Sequence, residues 1–326
     1  MPFSKPITSA IVRMQTYVEF LKANRIQNFR KNFNVYVADL QRKLLSVGYS
    51  PDNPIGNRKL NTLLKEVKAL QRKHYAGFLT DFEQWLVAFM TEHVTMAEAV
   101  LQDGSGISLA QAEEENNNLI PIYALGLLTS DSFYKTIVNT VIPGYGVTLR
   151  ELYNEWDKVA GDKLIKTIRA GMAQRLTLDQ IIKNVMGNVE NNYKGGIAAT
   201  QLRDSNTLIT TATQMVSQAV LVGAGSFYLS RYRYVAILDS STTVICRSLN
   251  NRVFYFGKGP LPPMHLGCRS SVVPYVGNEP GPGTYREWLK EQPLSFKTDV
   301  TIYTNPESGK TLTLNQYRTK RSIITT

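Results

Sequence analysis

Only two of the 326 residues are cysteine, which excludes a disulfide-stapled scaffold. Both fall within one 23-residue stretch, Cys246 to Cys268, and that placement points to a local clip or a metal site. The start, Met1-Pro2-Phe3-Ser4-Lys5-Pro6, lacks the apolar core of a secretion signal. The longest apolar run, Leu119 to Leu128, is about half a membrane span and contains Pro121. These absences predict a soluble protein of a reducing compartment, with no membrane partner. The chain also lacks Gly-x-Ser-x-Gly, His-Glu-x-x-His and phosphate-loop patterns. What is present is ample material for a core: 43% hydrophobic and 10% aromatic residues. That excludes global disorder, and the length suits two or more domains or one elongated chain with separate cores.

The net charge of +11 is unevenly spread. Residues 1–75 hold 14 Lys/Arg against 4 Asp/Glu, residues 76–150 hold 2 against 9, and residues 231–326 hold 13 against 6. An acidic middle between two basic ends suggests separate surfaces with separate partners. A basic end gains affinity for nucleic acid by releasing counterions, without any sequence code. The same charge also suits a solvated helix face.

The N-terminal half has helical periodicity. Ile11, Met14, Val18, Leu21 and then Phe29, Phe33, Tyr36, Val37, Leu40 and Leu44 recur at steps of three and four. A helix over 9–45 follows, with a break expected near Asn24–Asn28 and an end at Gly48, Pro51 and Pro54. Leu60, Leu63, Leu64, Val67 and Leu70, continued by Phe78, Phe82, Trp85, Leu86, Phe89 and Met90, mark a second helix over 57–102. It would span roughly 70 Å, with a kink at Gly77. The two form a basic antiparallel hairpin, residues 1–102. His74 and His93 on it read as surface or packed histidines, because no second ligand stands at a helical spacing from either. The Arg30-Lys31, Arg42-Lys43, Arg58-Lys59 and Arg72-Lys73 pairs are interleaved with aromatics that read as core.

Residues 103–118 are polar and read as a linker. A helical middle domain, 119–225, follows. Within it Thr148 and Glu151 have capping-box spacing, Gly161 is an expected interruption, Thr177 starts a short helix, and a helix over 201–222 ends at Gly223-Ala224-Gly225. After Gly225 the period becomes β-like. Tyr232, Tyr234 and Ala236 alternate with their neighbours, Asp239-Ser240-Ser241-Thr242-Thr243 makes a turn, and Arg252–Phe256 and Ser271–Tyr275 are further strands. The fold class is therefore mainly α, with a small C-terminal α+β module over 226–293. Residues 294–326 form a hairpin or tail, with paired segments 298–304 and 311–314 around Asn305-Pro306-Glu307-Ser308-Gly309.

The chemistry concentrates in that module. Eighteen residues separate Cys246 from His265, two separate His265 from Cys268, and Asp239 lies upstream. Thiolate, imidazole and carboxylate all bind zinc, and a tetrahedral site needs four ligands. His-x-x-Cys lets one tight turn aim two side chains at an ion, and a hairpin carrying Cys246 would bring a third. Asp239 or water would then supply the fourth. The same residues also suit two buried free cysteines beside a hydrogen-bonded histidine.

Taken in order, Asp239-Ser-Ser-Thr242, Cys246-Arg247-Ser248-Leu249 and Pro263-Met264-His265-Leu266-Gly267-Cys268-Arg269 resemble the signature of the phage head morphogenesis (Mu F-like) minor capsid family. The resemblance extends upstream to the helices at 148–190 and 201–222 and downstream to Tyr285–Pro293, covering residues 148–293. Two departures stand out: Thr243 where the family often has a cysteine, and Thr211-Ala212 where it has a Thr-Glu pair. The resemblance implies a minor, non-enzymatic structural protein of a tailed-phage head, made in the host cytoplasm and carried in the virion. It implies several copies around a portal ring, contact with the portal and with major capsid or scaffold protein, and a role in head assembly or in genome packaging and delivery. With a metal bound, Asp239, Cys246, His265 and Cys268 would be the ligands of a structural Zn2+ and Arg269 an outer partner. The basic N-terminus would touch double-stranded DNA non-specifically. The competing readings are a zinc-dependent nucleic-acid-processing hydrolase and a DNA-binding regulator.

Overall fold

The structure is a computed structural model that describes residues 4–105, 128–143, 145–188, 190, 193–275, 301–304 and 311–313. It is mainly helical, with a small antiparallel sheet toward the C-terminus. In order, the elements are α1 (Ser4–Leu45), α2 (Asn57–Ser105), α3 (Asp131–Val138), β1 (Val141–Ile142), β2 (Val147–Thr148), α4 (Leu149–Ala173), α5 (Leu178–Met186) and α6 (Ile197–Tyr228). They continue with β3 (Arg231–Val235), α7 (Val244–Leu249), β4 (Val253–Tyr255), β5 (Ser271–Pro274), β6 (Thr301–Thr304) and β7 (Thr311–Thr313). No helix among the described residues is long and apolar enough to cross a membrane.

Several expected helix breaks do not occur. α1 runs unbroken through Asn24–Asn28, because asparagine costs a helix only a fraction of a kcal/mol and no Gly or Pro interrupts it between Ile7 and Leu45. α4 continues through Gly161, where the missing side chain serves packing: a Cβ there would come within 2.4 Å of Gln71 Oε1. α6 likewise runs on to Tyr228, and a Cβ on Gly225 would stand 2.8 Å from Pro274 Cγ. In each case the glycine admits a neighbour instead of ending the helix. Thr148 is the last residue of β2, and α4 starts directly after it. Thr177 caps α5 in a full capping box with Gln180.

The chain divides into two compact units, one made of Ala23–Gln84 and Glu151–Ile209, the other of Met1–Lys22, Trp85–Arg150 and Thr210–Thr326. The first is held by aromatic packing. Phe29 on α1 lies 5.6 Å from the Phe33 ring, 4.6 Å from Phe78 and 6.1 Å from Trp156. Tyr36 stacks on His74, and Tyr75 packs against Trp156. Around this core, Gln71 Nε2 donates to Asp157 Oδ1 at 2.6 Å, and Lys68 pairs with Asp162 at 3.0 Å.

The second unit carries the sheet, in the order β4-β3-β5 and antiparallel throughout. Tyr232 and Tyr234 of β3 are fully buried, while Arg231 and Arg233 lie on the other face beside the Tyr275 ring. The Tyr232 hydroxyl donates to the Pro260 carbonyl at 2.6 Å, which anchors the proline-rich loop leading to His265. β6 and β7 pair with each other, antiparallel; the turn expected at Asn305–Gly309 lies outside the described residues. The expected linker lies outside the described residues except for 103–105, which belong to α2, and so does Tyr285–Pro293.

Phe29→Ala should lower the unfolding free energy by about 3–5 kcal/mol. Val35→Ala, which trims a 61% exposed side chain on the same helix, should change it by less than about 0.5 kcal/mol. Denaturant titration with tryptophan fluorescence distinguishes the two; equal losses would show that the aromatic cluster is not what holds this unit.

Candidate metal centre

Three elements bring the candidate residues together. α7 begins at its N-cap Thr243, whose hydroxyl accepts the Cys246 N–H at 3.5 Å, and this turns Cys246 inward. Cys246 therefore sits on a short helix and not on a hairpin, because the turn at 239–242 leads straight into the Thr243 cap. His265 and Cys268 follow the proline-rich loop in a tight turn closed by the Cys268 N–H bonding the His265 carbonyl at 3.2 Å. The ligand atoms of Cys246, His265 and Cys268 all lie within 4.8 Å of one another. Cys246 Sγ is 3.7 Å from Cys268 Sγ and 3.3 Å from His265 Nε2. Both cysteines are free and buried. Such a group is compatible with a metal site.

The electrostatics favour one thiolate. Burial by itself would raise the Cys268 pKa, but hydrogen bonds from the Cys246 thiol and from the backbone of Ser270 and Met264 outweigh it and bring the value down to about 6. Cys246, which gives its proton to that bond and is also buried, is pushed up to about 12. His265 Nδ1 lies 2.9 Å from the Leu266 carbonyl. A carbonyl can only accept, so Nδ1 carries a proton, and Nε2 faces Cys246.

Asp239 is placed elsewhere. Its Oδ1 accepts from Arg269 Nη2 at 2.7 Å, from the Ser241 N–H at 2.9 Å and from the Thr242 hydroxyl at 3.2 Å. The Arg269 guanidinium holds its carboxyl below the usual carboxylate range. Among the described residues no carboxylate joins the three-residue group.

Sequence reasoning missed the residues that support the loop. The Thr211 hydroxyl on α6 accepts the Gly267 N–H at 2.8 Å, Gln214 Nε2 donates to the Ser270 carbonyl at 2.6 Å, and Gln218 Oε1 accepts the Val272 N–H at 2.9 Å. All three are essentially inaccessible to solvent. Their spacing of three and four was the available signal: a polar stripe inside an otherwise apolar helix. Below them, Ser217 meets His93 Nε2 at 2.9 Å and accepts from Gln15 at 3.2 Å. His93 is thus a packed histidine, and burial lowers its pKa to about 4. His74, stacked on Tyr36, is also lowered to about 4 by burial.

No known family model, curated protein or solved structure matches this chain.

The histidines set an acid limit. The unfolded chain takes up a proton on His93 near its ordinary 6.5, whereas the folded chain takes none until about 4. Stability is therefore complete above 6.5 and falls as the pH drops toward 4. A His93→Gln variant should lose part of that slope when unfolding is measured across this range. An unchanged slope would assign the acid sensitivity to other groups.

Proposed function

We propose that this chain is a minor structural protein of a tailed-phage head whose C-terminal module is organised around one structural zinc ion. The observation that carries the zinc reading is the spacing of the donors. Two thiolates on one tetrahedral zinc, with bonds of about 2.3 Å, stand about 3.8 Å apart, and the two sulfurs here are 3.7 Å apart. The imidazole presents Nε2 to the same point while Nδ1 is tied to a carbonyl, the arrangement that usually orients a metal-bound histidine. Cys246, His265 and Cys268 would hold the ion, and zinc would supply a cross-link between α7 and the loop that carries His265 and Cys268. Asp239, engaged by Arg269, is not among these ligands.

The virion reading rests on the signature. Its separate blocks, the Asp-x-x-Thr turn, the Cys246 segment and His-x-x-Cys-Arg, meet in one module, where Asp239 and Arg269 are each other's partners. In this reading the protein performs no turnover. It binds the portal, in several copies around the ring and in contact with capsid or scaffold protein, and its basic N-terminal helices lie against the packaged DNA through phosphate contacts alone.

Two measurements test this. Elemental analysis of untagged full-length protein should find about one zinc per chain, and Cys268→Ser should reduce it severalfold; a metal-free wild-type protein would remove the ion from the account. A pull-down with a portal protein from the same genome should retain the chain, and complete absence of retention would overturn the virion reading.

A further inference from the structure

The zinc reading uses three side chains, yet a larger set of buried polar groups converges on the loop that carries two of them. Lys22 of α1 is only 2% exposed. Its ammonium donates to Glu19 Oε1 at 2.6 Å and to Gln214 Oε1, and Gln214 in turn donates to the Ser270 carbonyl at 2.6 Å. Gln15, two turns earlier on α1, accepts from Gln218 Nε2 at 3.4 Å, and Gln218 Oε1 takes the Val272 N–H at 2.9 Å. Each of these α1 side chains therefore reaches the backbone just after Cys268 through a single glutamine of α6. Ile11, Met14 and Val18 bury the same face of α1.

This arrangement leaves the α1 residues dependent on the loop. Residues 261–270 form no helix or strand, so their backbone has no ladder of its own to hold it. If the loop opens, Gln214 loses the Ser270 carbonyl inside a buried layer, and Val272, which Gln218 holds at the start of β5, is pulled with it. A buried polar group without a partner costs more than the bond itself contributed. The chain can avoid that cost by letting water in, which means separating α1 from α6 along this stripe. Burial already works against the Lys22 ammonium, lowering its pKa, so this lysine gains most from the opening.

We infer that metal occupancy of the Cys246–His265–Cys268 group and docking of the α1 segment 11–22 on α6 are coupled, with Lys22–Gln214–Ser270 and Gln15–Gln218–Val272 as the two bonded connections. The inference rests on the zinc reading above and gives the site a consequence: the ion controls how firmly the start of the chain is held. Coupling of this kind is reciprocal, so a change on α1 must alter metal affinity by the factor with which metal alters docking.

The test uses the full-length protein, zinc-loaded or stripped with a chelator, and follows amide hydrogen exchange by mass spectrometry. Peptides covering 11–22 and 264–272 are compared with 57–75 as an internal reference. Zinc removal should speed exchange in the first two and leave the third unchanged. In a competition titration with a chromophoric chelator, Lys22→Met should weaken zinc binding by about tenfold or more, the scale of a buried charge-assisted bond. If zinc removal deprotects 264–272 while 11–22 stays protected, the coupling is overturned and the metal site stands. If exchange rises equally in all three peptides, the ion holds the whole chain and the specific coupling is overturned. Failure to bind zinc at all overturns the site itself and the coupling with it. The wild-type comparison decides the matter even where Lys22→Met does not fold.

Discussion

The hydrogen bonds from Thr211, Gln214 and Gln218 to the backbone of residues 267–272 are the constraint on which the geometry of the C-terminal module depends. Residues 267–270 have no helix or strand, and the start of β5 has amides the sheet does not use, so these groups must find partners elsewhere or stay buried and unpaired. α6 supplies those partners from a stripe that is polar though wholly buried. Glutamine suits the task better than a shorter polar residue, because it reaches further and carries a donor and an acceptor at one end. Gln214 uses both, accepting from Lys22 and donating to Ser270. Gln218 does the same between Val272 and Gln15. Satisfied at both ends, such groups fix one arrangement of the loop, and that arrangement sets Cys268 beside Cys246.

The two units solve the problem of holding helices together by different means. In the unit of Ala23–Gln84 and Glu151–Ile209, stacked and edge-on rings around Phe29 fill the space, with polar pairs such as Gln71–Asp157 at their margin. In the other, apolar residues such as Val216 and Val220 alternate on α6 with Gln214, Ser217 and Gln218, all of them buried. An apolar core tolerates local sliding, whereas a bonded polar one does not. The polar layer therefore stands where the side chains of Cys246, His265 and Cys268 come within 4.8 Å of one another.

How far the sequence reveals this follows from what each signal depends on. The long helices were legible because Phe29, Phe33, Tyr36 and Leu40 repeat at helical steps, and the strand at Tyr232 and Tyr234 because buried residues alternate there. Cys246, His265 and Cys268 were legible as a set through chemistry and spacing. Glycines misled: Gly161 and Gly225 read as breaks, yet each is inside a helix at a close approach that only the folded packing defines. The same holds for Lys22, whose role is set by a residue 192 positions away. In sequence it is one of four lysines on a basic helix, and nothing local distinguishes a buried ammonium from a solvated one.

Asp239 shows how a residue can shape this region from outside the Cys246–His265–Cys268 group. Its backbone N–H bonds the Thr242 hydroxyl at 2.8 Å, and its Oδ1 holds the Ser241 N–H, so the Asp-x-x-Thr sequence closes its own turn. Moving the carboxylate to a metal would open that turn and release Arg269. Where it is, the Asp239–Arg269 pair joins the segment leading into α7 to the residue immediately after Cys268. The pair is exposed, and ion pairs in solvent contribute little to stability. Its worth is geometric: it ties the element that carries Cys246 to the loop that carries Cys268. The aspartate and the arginine thus position Cys246 and Cys268 from outside, while α6 positions the loop from within.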